Sequence, residues 1–589
     1  MNWMTTGRPV AGMRTERQEG LFARWRGRLA AAALLALPVA FLLLFLVYPL
    51  GEIWREAGGV GAAGAVWSVV ADPYFLQVIR FTVWQALLST LLSVLFGFPL
   101  AYFISNFQFP GRQLLRSLTL VPFVLPTISV AVGFLLMFGN NGLLNRLLYD
   151  LFGFRLPILY SLNGVLLAHA FYNAPLLVRT ISASWEAIDP SLEEAARSLG
   201  AGPGRVFRTI TLPALVPGIA TGAALAFIFS FLSFPLVLTL GGGRLATIEV
   251  EIYTQVRLLL DYRTGAALAL LETVISLLFS YGYLALENRF DRALRSVRQR
   301  TLRRVGLPRT AGGWLGAGAL VLALALLALL YLGPVGALVY HSLRQPRTGE
   351  LTLEWYRYIL TPEYDAILGD TPMTAVRNSV LVALGAMLIS LLVATPLAWY
   401  FTRRHSRGQS LWESLAMSPL AISSVALGFG MLRAFNRPPL LLSGTVWVII
   451  AVHAVLAYPF VIRALRPALA AISREAIESS RTLGASATRT FLAIELPLAA
   501  TGLLTGAMLS FGFSLAEMSA TVLLAGAGFS TMPVTLYHLL SARNFGGASA
   551  MAVVLLVATG VCFVALEAAG RRLLERRTGQ AGPARWGNG

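Results

Sequence analysis

Apolar runs of roughly 20 residues, the length of a helix that crosses a bilayer, alternate along the chain with short polar stretches rich in arginine. The first run extends from Leu29 to about Leu50. Others fall near residues 81–104, 115–138, 158–180, 214–238 and 265–286. After a polar link the pattern resumes near 314–341, 378–401, 411–434, 443–465, 499–523 and 549–569. It predicts an all-α integral membrane protein of about twelve transmembrane helices. The chain divides into a tail (1–28), a first half (29–288), a basic link (289–313), a second half (314–570) and a second tail (571–589).

Two polar islands, residues 189–213 and 473–497, interrupt this pattern in the same way. In each, a glycine follows a glutamate by six positions: Glu194 and Gly200, then Glu478 and Gly484. A phenylalanine follows seven later (Phe207, Phe491), and Leu-Pro closes the stretch (Leu212-Pro213, Leu496-Pro497), all at a constant offset of 284 residues. Asp189 suits an N-cap and Pro190 the first helical position, with Glu193 and Glu194 towards the positive end of the helix dipole. In the second island Ser473 is the expected cap, with Glu475 in the first turn. Gly200 and Gly484 suit the left-handed residue that ends such a helix. Each island therefore reads as a short helix, a glycine stop, an amphipathic link and a proline at the mouth of the next span.

The repeat is wider than the islands. Arg80 pairs with Arg377 and Pro99 with Pro396, at an offset of 297 residues. Pro175 pairs with Pro459, Arg179 with Arg463, Thr247 with Thr531 and Tyr253 with Tyr537, at 284. Most of the first half's excess falls in the loop at 139–157. Six spans per half is an even number, so the halves should lie parallel, related by a pseudo-two-fold axis along the membrane normal.

The paired islands resemble the EAA loop of permease subunits of binding-protein-dependent ABC importers of type I. The first carries the family's Glu-Ala-Ala as Glu194-Ala195-Ala196. The second departs from it as Glu478-Ser479-Ser480, with serine small enough to keep close packing. The resemblance implies that each island is a coupling helix, with Gly200 and Gly484 as its stops, docking on a cytoplasmic ATP-binding subunit, so that two copies of that subunit would serve one chain. It further implies a periplasmic or lipid-anchored solute-binding protein and alternating access driven by ATP. One chain would then supply what the family often builds from two permease subunits. The stretch Gly241-Gly242-Gly243, then Thr247-Ile248-Glu249 and Ile252-Tyr253, looks like fused permeases of the thiamine and ferric-iron importers. In that context it would be a short periplasmic helix touching the binding protein; otherwise it is a plain surface loop.

Composition agrees with a membrane protein: 56% of the residues are hydrophobic and 13% charged, with mean hydropathy +0.69. A soluble domain carries about 25% charged residues. The net charge is +19, and all 47 basic residues are arginine. They gather in the tails, the link and both islands, which points to one cytoplasmic side of an inner membrane, with both termini there, and not to nucleic acid. A chain without lysine cannot build a phosphate-binding P-loop, so ATP hydrolysis would belong to a partner. The single cysteine, Cys562, lies in an apolar run and reads as core packing.

There is no nucleophile–base constellation, metal cluster or cofactor signature, which argues against an enzyme. Two histidines, His169 and His453, sit mid-span at the 284 offset. They read either as polar contacts on a central pathway or as side chains satisfied by neighbouring groups; both readings turn them inward. Glu517 and its repeat partner Ser233 lie near the far end of their spans. A carboxylate there lines the pathway or caps a helix end. A twelve-span secondary transporter would share the gross topology, but has no need of two islands in register and tends to place several carboxylates mid-membrane.

Overall fold

The computed structural model describes residues 34–109, 112–118, 125–290, 303–304, 311–345, 348–361, 363–365, 368–403, 408–438, 440–526 and 529–578. The tail at 1–28, most of the link at 289–313 and the end of the C-terminal tail lie outside these residues.

Long helices dominate. The first half contains α1 (Leu34–Glu56), α2 (Pro73–Asn106), α3 (Thr127–Phe138), α4 (Leu143–Phe152), α5 (Leu162–Glu186), α6 (Pro190–Ser198), α7 (Leu212–Phe231), α8 (Phe234–Leu240), α9 (Ile248–Tyr253) and α10 (Tyr262–Phe290). The second contains α11 (Ala311–Ser342), α12 (Pro372–Arg403), α13 (Gln409–Met417), α14 (Ser424–Ala434), α15 (Val446–Ala470), α16 (Arg474–Thr482), α17 (Ala500–Ala516), α18 (Ser519–Leu524), α19 (Met532–Ser541) and α20 (Phe545–Thr578). Among the described residues eight helices are long and apolar enough to cross a membrane, and two bent pairs raise this to ten. Helix α5, 25 residues long, and α11, 32 residues long, complete the repeat.

The repeat holds almost residue for residue. Helices α5 and α15 coincide at both ends under the 284 offset, as do α6 and α16. The paired prolines lie inside matching helices, Pro99 in α2 with Pro396 in α12, and Pro175 in α5 with Pro459 in α15. A π-helical turn precedes Leu-Pro in both halves, Phe207–Thr211 and Phe491–Glu495.

Four runs expected to be single spans are broken. The run near 411–434 bends by 97° between α13 and α14, through a 3-10 turn containing Pro419. Its counterpart near 115–138 starts α3 afresh after Pro126, which has ψ 132°. Proline disfavours helix at the residue before it and removes a donor, so both runs kink where proline falls. The run near 214–238 breaks at Leu232-Ser233, and the run near 499–523 at Glu517-Met518. The loop at 139–157 carries α4, which has no counterpart in the second half.

The first helix of each half is exchanged. Helix α1 packs on α14 of the second half, and α11 packs on α3 of the first. Each crossing depends on a glycine. A Cβ at Gly133 would lie 2.6 Å from Pro334 O, and one at Gly430 would lie 2.7 Å from Pro49 O. These glycines are repeat partners, so the same close backbone approach is made twice. The α1–α14 crossing is also tied by Arg433, which pairs with Glu56 at 2.9 Å and lies 4.4 Å over the Tyr262 ring. The largest buried cluster draws on both halves, among them Phe134, Phe171 and Phe234 with Phe429, Met532 and Leu555.

Candidate functional site

The two islands take the same local structure. Helix α6 starts as its sequence dictates, with the Asp189 carboxylate accepting from Ser191 N at 3.0 Å. Helix α16 starts on Ser473, whose Oγ accepts from Ala476 N at 3.4 Å. Both stop on a glycine with φ +84°, Gly200 and Gly484. The following amide reaches back to the helix in both, Ala201 N to Ala196 O at 3.0 Å and Ala485 N to Ser480 O at 3.2 Å. This is the Schellman closure, which needs a residue at positive φ. Glu194, Ala195, Glu478 and Ser479 are exposed, Ala196 is half-buried and Ser480 is buried.

Beside each glycine stands a leucine in solvent: Leu199 is 89% exposed and Leu483 is 88% exposed. Two matched, fully presented leucines beside a rigid turn suit a hydrophobic receptor surface. Sequence reading fixed on the glutamates and small residues and passed over these leucines, although they share the 284 offset.

The islands are anchored differently. In α6 the buried carboxylate of Glu193 accepts from Thr211 Oγ1 at 2.9 Å and from Arg197 at 3.3 Å. In the second half Ile477 stands at the Glu193 position and Glu495 at the Thr211 position. Glu495 is buried and accepts from Arg403 Nε at 2.8 Å and Trp399 Nε1 at 3.2 Å, while Arg403 also donates to Leu469 O at 2.9 Å. The π-helical turn is thus tied to α6 in the first half, and to α12 in the second, where Arg403 also reaches α15.

The two histidines lie at the helix breaks. His169 is buried and hydrogen-bonds Ser89 Oγ through Nδ1 and Ser233 Oγ through Nε2, both at 2.8 Å. His453 is also buried; its Nδ1 meets Ser514 Oγ and its Nε2 meets Thr521 Oγ1, both at 2.7 Å, with Glu517 Oε2 at 3.2 Å. The Glu517 carboxylate caps α18, accepting from Ala520 N at 2.8 Å and from Thr521 N at 3.2 Å. Each histidine therefore pins the broken end of its span, and in the second half the pin includes a carboxylate.

Helices α9 and α19 close the far end. Ile248 N donates to Thr82 Oγ1 at 3.0 Å and Met532 N to Ser379 Oγ at 2.7 Å, a matched pair of clamps. The repeat partners Tyr253 and Tyr537 face each other, which puts them at the pseudo-dyad. Arg257 crosses between halves to Ala525 O at 3.2 Å. The stretch from Thr247 to Ile252 is helical from Ile248, as the resemblance implied, but it is buried along its whole length. It is not a surface loop, and in this conformation it presents no face to a docking protein. Burial follows from the apolar alternates Ile248, Val250 and Ile252, which join the main core.

A twice-repeated helical membrane protein with one short exposed helix per half is the architecture of a transport permease. Residues 93–296 and 367–578 match the binding-protein-dependent transport system inner membrane component, once per half, and the chain belongs to that family. It is a multi-pass inner membrane permease, not an enzyme. It is 31% identical over 468 residues to the thiamine transport system permease protein ThiP of Brucella abortus (strain 2308), covering 78% of this chain and 77% of the relative. It is 28% identical to ThiP of Salmonella typhimurium over 569 residues, 94% of this chain and 98% of that one. The sulfate transport system permease protein CysT of Salmonella typhimurium is 32% identical over 254 residues, 43% of this chain but 90% of CysT. One half of this chain thus corresponds to one such single-half subunit.

Proposed function

We propose that this chain forms the whole translocation pathway of an ATP-driven importer and carries thiamine inward across the bacterial inner membrane. Helices α6 and α16 face the cytoplasm, and each receives one ATP-binding subunit. Closure of those subunits on ATP draws α6 and α16 together. The parallel halves then rock about the pseudo-dyad and part at the far end, where α9 and α19 meet. A solute-binding protein delivers there. The chain has no lysine and brings no P-loop of its own.

The observation that carries this reading is the pair of exposed helices, α6 and α16, ended by glycines of the same φ and each presenting a leucine. Thiamine is the solute in the names of the relatives that span both halves. Charge favours it over the sulfate named for CysT. Three buried carboxyls, Glu249, Glu272 and Glu517, gather at the contact between halves, and such a site suits a cation and repels a dianion. Ferric iron, the other solute of the resemblance, is not named for any of these relatives.

The test is reconstitution. Permease, ATP-binding subunit and thiamine-binding protein in liposomes should accumulate labelled thiamine only when ATP is supplied to the side that carries α6 and α16. Uptake by the permease alone down an ion gradient would instead make it a secondary transporter.

A further inference from the structure

The carboxyls of Glu249 and Glu272 are brought together by a hairpin. Helix α9 runs into a π-helical turn, Thr254–Leu258, and the chain reverses at Leu260, which has φ +57°. Glu249 stands eleven residues before Leu260 and Glu272 twelve after it, so antiparallel packing of α9 on α10 sets them side by side. Glu272 lies ten residues into α10, roughly 15 Å along it at 1.5 Å per residue, within the apolar stretch Tyr262–Glu287. Glu272 faces Glu249 and Ser423. Ser423 belongs to the other half, where its Oγ caps α14, and it donates to Glu249 Oε1 at 2.6 Å. Glu517 of the second half is the next charge that Glu249 meets.

Among the described residues little neutralises Glu249 and Glu272. Glu249 is 2% exposed and Glu272 is 0% exposed. Glu249 Oε2 and both Glu272 oxygens are buried without a hydrogen bond. Among the described residues no arginine forms an ion pair with either carboxyl. Buried carboxyls left in this state are costly and call for a proton or a cation. Packing does not require them, because the repeat places Pro533 at the Glu249 position, Leu556 at the Glu272 position and Ser233 at the Glu517 position. None of the three acids has an acidic repeat partner, an asymmetry that a fused chain can hold and a pair of identical subunits cannot.

We propose that Glu249 and Glu272, backed by Glu517, form an acidic station that takes the positive charge of an organic cation as the halves part. The inference rests on the thiamine reading and assigns it to residues. A ring cation that lacks an N–H at its charged nitrogen offers little to hydrogen-bond there, so paired carboxylates hold it by charge. With the halves closed, Ser423 and the neighbouring carboxyls occupy the space. Separation of α9 from α14 removes Ser423 and opens the station towards the pathway.

The experiment uses the complete importer in liposomes, labelled thiamine, and the variants Glu249→Gln, Glu272→Gln and Glu272→Asp, with the yield of assembled complex measured for each. Both glutamine variants should assemble and lose roughly tenfold or more in kcat/KM, as expected when a buried charge partner is removed. Glu272→Asp should recover most of the loss, because it keeps the charge and shortens the side chain. Glutamine variants that transport like the wild type would overturn the station while leaving the thiamine reading intact. So would an aspartate variant no better than glutamine, or failure of both glutamine variants to assemble, since either result makes the carboxyls packing groups. A wild-type importer that leaves thiamine outside would overturn the substrate reading and the station with it.

Discussion

Adding one methyl group at Gly430 or Gly133 should loosen the halves from each other. At Gly430 the new Cβ would stand 2.7 Å from Pro49 O and 3.0 Å from Ile53 Cδ1. At Gly133 it would stand 2.6 Å from Pro334 O and 2.9 Å from Pro334 C. Carbon and carbonyl oxygen settle at about 3.3 Å or more, so the crossing helix has to retreat by roughly 0.6 Å. The obstacle is backbone of a long helix, which cannot swing aside as a side chain can. Overpacking of this kind costs about 1–3 kcal/mol per site. The two crossings share no partner, so the double variant should lose about 2–6 kcal/mol. Thermal unfolding of the purified permease in detergent, followed by tryptophan fluorescence, reads the effect. Gly430→Ala and Gly133→Ala should each lower the midpoint, and the pair should lower it further. Gly51→Ala lies on α1 itself, where a Cβ meets nothing within 4 Å, and should not lower it. If the crossing variants melt with Gly51→Ala, the exchanged first helices are not held by backbone contact and the reasoning fails.

Three further outcomes follow from the islands. Gly200→Val and Gly484→Val should insert normally but weaken attachment of the ATP-binding subunit and abolish uptake, because a β-branched residue at φ +84° is strained by about 1–2 kcal/mol or more. The space around both glycines is open, so asparagine should be tolerated better than valine; equal yields of complex for all three residues would refute this. Leu199→Ala and Leu483→Ala should each cost about 1.5–3 kcal/mol of affinity for that subunit in a binding titration, and unchanged affinity would remove the leucines from the contact. Single cysteines at Ser198 and Thr482 should resist an impermeant thiol reagent added to intact cells, and labelling of either from outside would reverse the orientation.

The islands were legible because everything that shapes them is local. A cap, a proline, a left-handed glycine and a repeat offset name α6 and α16 without knowledge of the rest of the fold. The places of the long apolar helices were legible for the same reason. What escaped was set by contacts between distant segments. The break at Ser233 follows from His169 and Ser89, and the break at Glu517 from His453, residues far away in the chain. The exchange of α1 and α11 leaves only a trace in the sequence, glycines at 133 and 430 facing prolines at 334 and 49. Glu249 looked like part of an outer loop because acidic residues usually seek water, yet its apolar neighbours carry it inside. Glu272 sits in an apolar run that reads as an ordinary span, and only the hairpin at Leu260 shows that it meets Glu249.

The central claim is that one chain presents two docking helices to two ATP-binding subunits. Native mass spectrometry of the purified complex tests it most directly. The wild-type chain should carry two ATP-binding subunits, and a chain with Gly200→Val or Gly484→Val alone should lose the subunit from that half first, leaving a one-to-one species. A wild-type complex holding a single ATP-binding subunit, or one whose composition ignores both glycine substitutions, would contradict the account.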